Sequence, residues 1–227
     1  MNRADFLGHI SARLGRDRAP VEAPERDVIG GPEFWSEMHL SPDARLPMFR
    51  DKLTALGGDV RVVKDIPELQ SELTTVFAQL GPKKVGIWND PELREWLGQA
   101  LTSHDKSHDK SHDVLTWGVD APHEFTQTDV GITGAAYAIA DTGTLVLSCG
   151  GGRGRSVHLL PAVHLAVVGA SQIRDRLGEA LTELTSESLD SYIHFVTGPS
   201  RSSDIENDQS IGVHGPAAEI VIVVEAL

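Results

Sequence analysis

From Leu46 to the C-terminus, short apolar runs alternate with segments of helical periodicity, and that alternation restricts the chain to an α/β fold. A helix ends at the Gly57-Gly58 pair and leads into an apolar run at Val60–Val63. Pro67 sits in the first turn of a helix reaching Gln79, Lys84–Trp88 reads as a strand, Pro91 opens another helix, and Val114–Trp117 is again a strand. Further strands are expected at Gly143–Leu147, His164–Val168, Ile193–Thr197 and Glu219–Val224, with a helix over Gln172 to Leu184. The expected fold is α/β, a mixed or parallel sheet flanked by helices. Ahead of it, residues 1–30 read as an N-terminal appendage. There Phe6, Leu7, Ile10 and Leu14 recur at helical spacing, and a proline-containing linker follows. Residues 31–227 form the α/β domain in this reading, and a homodimer through the N-terminal helix is one expected use of the apolar stripe.

Charge and cysteine content narrow the function. With 20 Lys+Arg against 33 Asp+Glu the formal charge is −13, which repels phosphodiester backbones, so no nucleic-acid partner is expected. Cys149 is the one cysteine. It excludes an internal disulfide and any all-cysteine zinc or iron–sulfur site built from this chain alone. No apolar run approaches the ~20 residues that span a bilayer. The N-terminus lacks the apolar core of a secretory signal. A cytoplasmic, acidic protein with no membrane partner is expected. The tract Ser103-His-Asp-Lys, repeated from Ser107 and followed by Ser111-His-Asp, sets His104, His108 and His112 at helical i, i+4, i+8 spacing. Two such histidines can pair on a metal, but a polar repeat between helix and strand reads first as a solvated insertion. No metal site is expected.

Chemistry concentrates in one stretch. Seven of the 22 glycines lie between Gly131 and Gly154, and no acidic residue occurs from Thr142 through Arg174. Arg153, Arg155 and Ser156 stand in that run, a locally cationic loop in an acidic chain, suited to a small carboxylate or phosphate. The other reading is a hairpin tip whose arginines pair with carboxylates. The dinucleotide fingerprint fails at Arg155 and Val157, and no P-loop or hydrolase elbow is present. A second polar cluster, Thr197 to Glu206, follows a strand. It offers Ser200, Arg201, Asp204 and Glu206, with His214 in a turn shortly after. His158 and His164 flank Pro161 in apolar surroundings and read as hydrogen-bonded core residues.

The segments GITGAAYAIADTGTLVL, GRGRSVHLLPAVHLAVV, TGPSRSSDIE and GVHGP, in this order from Gly131 to Pro216, resemble those of the lactate utilization protein C family, whose members share the LUD domain. The resemblance implies a fold like that of sugar-phosphate isomerases and coenzyme A transferases. It also implies a place in oxidation of L-lactate to pyruvate beside iron–sulfur partner subunits, with no cofactor on this chain. Family members read Glu where this chain has Asp141, one methylene shorter. The candidates that follow are Asp141, Asp204 and Glu206 for acid–base work, and Thr133, Thr142, Arg153, Arg155, Ser156, Ser200, Arg201 and His214 for a small anionic substrate. The alternative functions are a stand-alone transferase or ligase-like enzyme on a small phosphorylated or acylated anion, or a pure interaction subunit.

Overall fold

The computed structural model describes residues 2–18, 39–101, 112–186, 189–203 and 209–227. It contains two units, residues 1–39 and 40–227. In the first, helix α1 (Arg3–Arg13) starts where the Asn2 side chain accepts the Asp5 N–H at 2.9 Å, and Phe6 and Ile10 on it and Leu14 at its C-cap are exposed. His104 and His108 lie outside the described residues, while the His112 ring packs edge-on against Phe77.

The second unit contains α2 (Pro42–Ala55), β1 (Asp59–Val63), α3 (Ile66–Leu80), β2 (Lys84–Ile87), α4 (Pro91–Leu97), β3 (Asp113–Thr116), β4 (Val130–Gly134), β5 (Tyr137–Ile139), β6 (Thr144–Cys149), the one-turn α5 (Ser156–Leu159), β7 (Val163–Gly169), β8 (Ile173–Arg174), α6 (Leu177–Ser186), β9 (Tyr192–Val196), β10 (Arg201–Ser203), β11 (Gln209–Ile211) and β12 (Ala218–Val224). Local chemistry sets the helix ends. Asp65 and Asp90 accept N–H groups of the first turns of α3 and α4, and Gly81 closes α3 in the left-handed conformation. The buried face of α3 is Leu69, Leu73, Val76 and Phe77, the spacing of one helical stripe.

The expected parallel sheet flanked by helices is present, and two further sheets accompany it. Six strands run parallel in the order β1-β12-β7-β4-β2-β3, four form a mixed sheet in the order β8-β5-β6-β9, and β10 pairs antiparallel with β11. Among the additional strands, β4 carries two glycines, which disfavour strands, and β5 is only three residues long. In the mixed sheet, β6 alternates strictly. Leu145, Leu147 and Cys149 enter the main core, whereas Val146 joins a smaller cluster with Ile139 and Ala180 under α6.

The central strands of the parallel sheet are mostly apolar, as burial on both faces requires, and Thr133, His164 and Glu219 are their fully buried polar residues. His164 on β7 and Glu219 on β12 are partners in register, and Gly131 on β4 is the next residue across. Gly131 has no side chain there because α5 occupies the place. A Cβ on Gly131 would coincide with the Val157 carbonyl oxygen. Gly131→Ala is therefore expected to destabilise the protein by about 3 kcal/mol, the upper range for overpacking, since a backbone group and not a flexible side chain would have to yield. Urea denaturation of the variant against the wild-type chain measures the difference.

Candidate functional site

The loop from Gly150 to Ser156 joins β6 to α5 and sends its two arginines to different places. Arg153 donates to Asp190 Oδ2 at 2.6 Å and lies 3.9 Å from Asp90, and Ser148 Oγ donates to the same Asp190 oxygen at 2.6 Å. Its charge is compensated. Arg155, two residues on, has its guanidinium over the Tyr192 ring at 4.5 Å, and no carboxylate among the described residues lies within ion-pair distance of it. Gly154 makes this division sterically possible. A Cβ there would run into the Trp117 indole, so the backbone passes flush against the ring while its carbonyl accepts the Trp88 Nε1–H at 2.9 Å. Ser156 is the first residue of α5.

Beside Arg155 stands a cluster of histidines. His158 on α5 is 1% exposed, and its Nε2 lies 2.7 Å from Nδ1 of His194 on β9. His164 follows, its ring centroid 5.8 Å from that of His158. Thr133 Oγ1 holds His164 Nε2 at 2.9 Å, and Glu219 Oε1 lies 3.6 Å from its Nδ1. Burial, reinforced by the charges of His164, His194 and Arg155, pushes His158 down to about 3. His194 is lowered by burial first and then by His164 and Arg155. Both His158 and His194 are thus neutral imidazoles at neutral pH. The Tyr192 and His194 rings lie 5.9 Å apart, and the partly exposed Tyr192 forms the outer end of the cluster.

The remaining expected residues lie elsewhere. Asp141 and Thr142 occupy the β5–β6 turn, at the opposite end of β6 from Arg153. Thr144 links Thr142 and Thr197 at 2.8 Å each, and Asp141 Oδ1 is buried with no hydrogen-bond partner. Arg201 donates to the Leu56 carbonyl near this end, the Ser200 N–H donates to Pro216 O at 2.8 Å, and His214 is exposed. Asp204 and Glu206 lie outside the described residues. Among the described residues, Asp141 and Thr142 lie at the end of β6 opposite Arg153 and Arg155, so these groups do not line one cleft. The histidines that sequence reasoning left in the core stand at the Arg155 end. His194 and Glu219 were missed. Glu219 had a visible signal, a carboxylate inside an otherwise apolar strand, and His194 had none.

On the other face of the mixed sheet, two adjoining cavities of about 150 and 320 Å³ share Ala136, Ser148 and Arg153 as walls. The first opens at the C-terminal ends of β2 and β4, between Trp88 and Trp96. Asp90, Glu92 and Asp190 outnumber Arg153 in these linings, a charge balance that repels small anions. Cys149 is 3% exposed and burial pushes its thiol up to about 11, so it is a packing residue. As the one thiol of the chain it fits no iron–sulfur cluster here.

The depressed His158 value has a consequence for stability. Below 6.5, its ordinary value, the unfolded chain binds a proton that the folded chain refuses until about pH 3. The stability this group contributes is full above pH 6.5 and falls by about 1.4 kcal/mol per unit beneath it. Urea denaturation at pH 6.5 and 4.5 is expected to show a loss smaller by about 2 kcal/mol in His158→Gln than in the wild-type chain.

No helix among the described residues is long and apolar enough to cross a membrane. The crystal structure of a DUF162 family protein from Deinococcus radiodurans superposes with a TM-score of 0.61 at 24% identity, covering 82% of this chain and 99% of that one, so the two share a fold. Lactate utilization protein C of Halalkalibacterium halodurans is 33% identical over 98% of this chain and 97% of its own length. The protein of that name from Shouchella clausii is 32% identical over 99% and 98%. The LUD domain family model matches residues 46–224, which spans every strand of the parallel sheet. The chain belongs to the LUD domain family.

Proposed function

We propose that this chain is the carboxylate-binding component of an L-lactate utilization system, holding a small 2-hydroxy or 2-oxo acid at Arg155 while iron–sulfur partner subunits carry the electrons. Full-length likeness to relatives named lactate utilization protein C supports its part in lactate utilization. The observation that carries the carboxylate reading is Arg155, an arginine stacked on Tyr192 and free of carboxylate neighbours among the described residues, in a chain of formal charge −13. A guanidinium held flat on a ring keeps its N–H edge for a planar carboxylate, and the neighbouring neutral histidines do not compete for the ligand's charge. Arg153 is already committed to Asp190, and the cavities on its side carry an excess of carboxylates. Oxidation of L-lactate to pyruvate releases two electrons and two protons. One buried thiol supplies no cluster site, which supports assigning electron transfer to the partners.

Calorimetric titration of the full chain with L-lactate and with pyruvate tests the reading. Arg155→Gln is expected to weaken binding at least about 10-fold, the worth of one charge-assisted hydrogen bond, and Arg153→Gln by less than about 3-fold. The purified chain is expected to form pyruvate from L-lactate only after iron–sulfur partner subunits are added. Steady pyruvate formation by the chain alone with an artificial acceptor overturns the division of labour. Equal binding by wild type and Arg155→Gln overturns the site.

A further inference from the structure

The hydrogen bond between His158 and His194 determines which nitrogen of His194 carries the proton. One hydrogen bridges His158 Nε2 and His194 Nδ1 at 2.7 Å, and either ring could supply it. Suppose His194 supplied it. His158, kept neutral by its burial, would then carry its single proton on Nδ1, which is buried without a hydrogen-bond partner. That arrangement strands a buried N–H donor. If His158 supplies the bridging hydrogen instead, its Nδ1 is a bare lone pair, and an unsatisfied acceptor is better tolerated in a protein interior than an orphaned donor. His194 Nδ1 is then an acceptor, and the neutral ring of His194 must hold its own proton on Nε2. That atom makes no hydrogen bond among the described residues, the residue is partly exposed, and the Tyr192–Arg155 stack lies alongside the ring.

We propose that His158 is a positioning residue that fixes His194 as the Nε2–H tautomer, so that a neutral His194 donates a hydrogen bond to the small carboxylic acid whose charge Arg155 neutralises. The proposal rests on the carboxylate reading above and adds a recognition element to it. The groups facing His194 are His158 and Arg155 from α5 and its preceding turn, His164 from β7 and Tyr192 from its own strand. Burial, then His164 and Arg155, oppose protonation of the ring. The donor is therefore present without a charge on the imidazole. Affinity for a carboxylate should not decay with rising pH as it would if an imidazolium bound the ligand. An oxygen on the carbon next to the carboxylate, keto or hydroxyl, is an acceptor for such a donor, whereas a methylene there is not.

Long-range proton–nitrogen correlation spectra of the nitrogen-15-labelled full chain at pH 7 read the tautomer directly, with the His194 signals identified by their loss in His194→Phe. A protonated Nε2 and a bare Nδ1 are expected. A protonated Nδ1, or a mixture of the two forms, overturns the proposal whether or not any ligand binds. Pyruvate titrated from pH 6 to pH 8 should bind with affinity constant within about 2-fold, and about tenfold weakening per unit would assign binding to an imidazolium instead. Propionate, which lacks the second oxygen, should bind about 10-fold more weakly than pyruvate. His158→Gln retains an N–H donor and should keep both the His194 tautomer and the affinity. His158→Met removes the donor, should mix the tautomers and should cost about 10-fold in pyruvate affinity. Equal losses in the two variants reduce His158 to a packing role and overturn its positioning. If pyruvate does not bind the wild-type chain while the spectra show the expected tautomer, the carboxylate reading fails and the His158–His194 assignment stands.

Discussion

The contact of Gly131 with the Val157 carbonyl sets the distance between the parallel sheet and everything that packs on its central row. With a hydrogen in place of a side chain at Gly131, the single turn of α5 lies directly on β4. That approach places His158 beside His164 and within hydrogen-bond reach of His194 on the second sheet. It also fixes where the loop from β6 must end, and so where Arg155 emerges. A side chain at Gly131 would lift the turn and separate the two histidine-bearing sheets together, because both contacts pass through the same four-residue helix. Close packing transmits such a displacement without attenuating it.

Two arginines two residues apart show how electrostatic availability differs from charge. Arg153 is neutralised by Asp190, which also holds Ser148, and it faces cavities with surplus carboxylates. Arg155 leans on an aromatic face, which holds the guanidinium without consuming its hydrogen-bonding edge. In a chain with 33 acidic residues, the two arginines thus differ in whether a described carboxylate already neutralises them.

Glu219, His164 and Thr133 form a polar group inside the core. Each is 2% exposed or less, and the Glu219 oxygens make no hydrogen bond, their near neighbour being the His164 ring. Burying a carboxylate costs several kcal/mol unless a partner repays it. The partner is available only in the observed register. A one-residue slip of β12 against β7 would set Glu219 beside Val163 or Leu165 and turn its side chain to the opposite face. The pair therefore penalises misregistered sheets, in addition to its place beneath the histidine cluster.

The sequence by itself determined the α/β class and most of the parallel sheet. Strand and helix periodicities are local, and the proline and glycine punctuation at Pro67, Gly81 and Pro91 falls where the helices begin and end. It also exposed the acid-free arginine loop, because charge depletion can be read without coordinates. Glycine-rich β4 and the three-residue β5 were illegible, the first because glycine disfavours strands and the second because so short a run shows no periodicity. The site was decided by tertiary structure alone. Arg153 and Arg155 are equivalent in sequence and differ only in what lies across from them, Asp190 or Tyr192, both reached through the fold of β9. Asp141 and Arg155 belong to one motif-rich stretch yet sit at opposite ends of β6, because a strand of six residues carries its ends apart. His194 is an unremarkable residue of a partly exposed strand until α5 presents the ring of His158 to it. Which nitrogen holds a proton depends on a contact between residues 36 apart in the chain, and no local pattern encodes it.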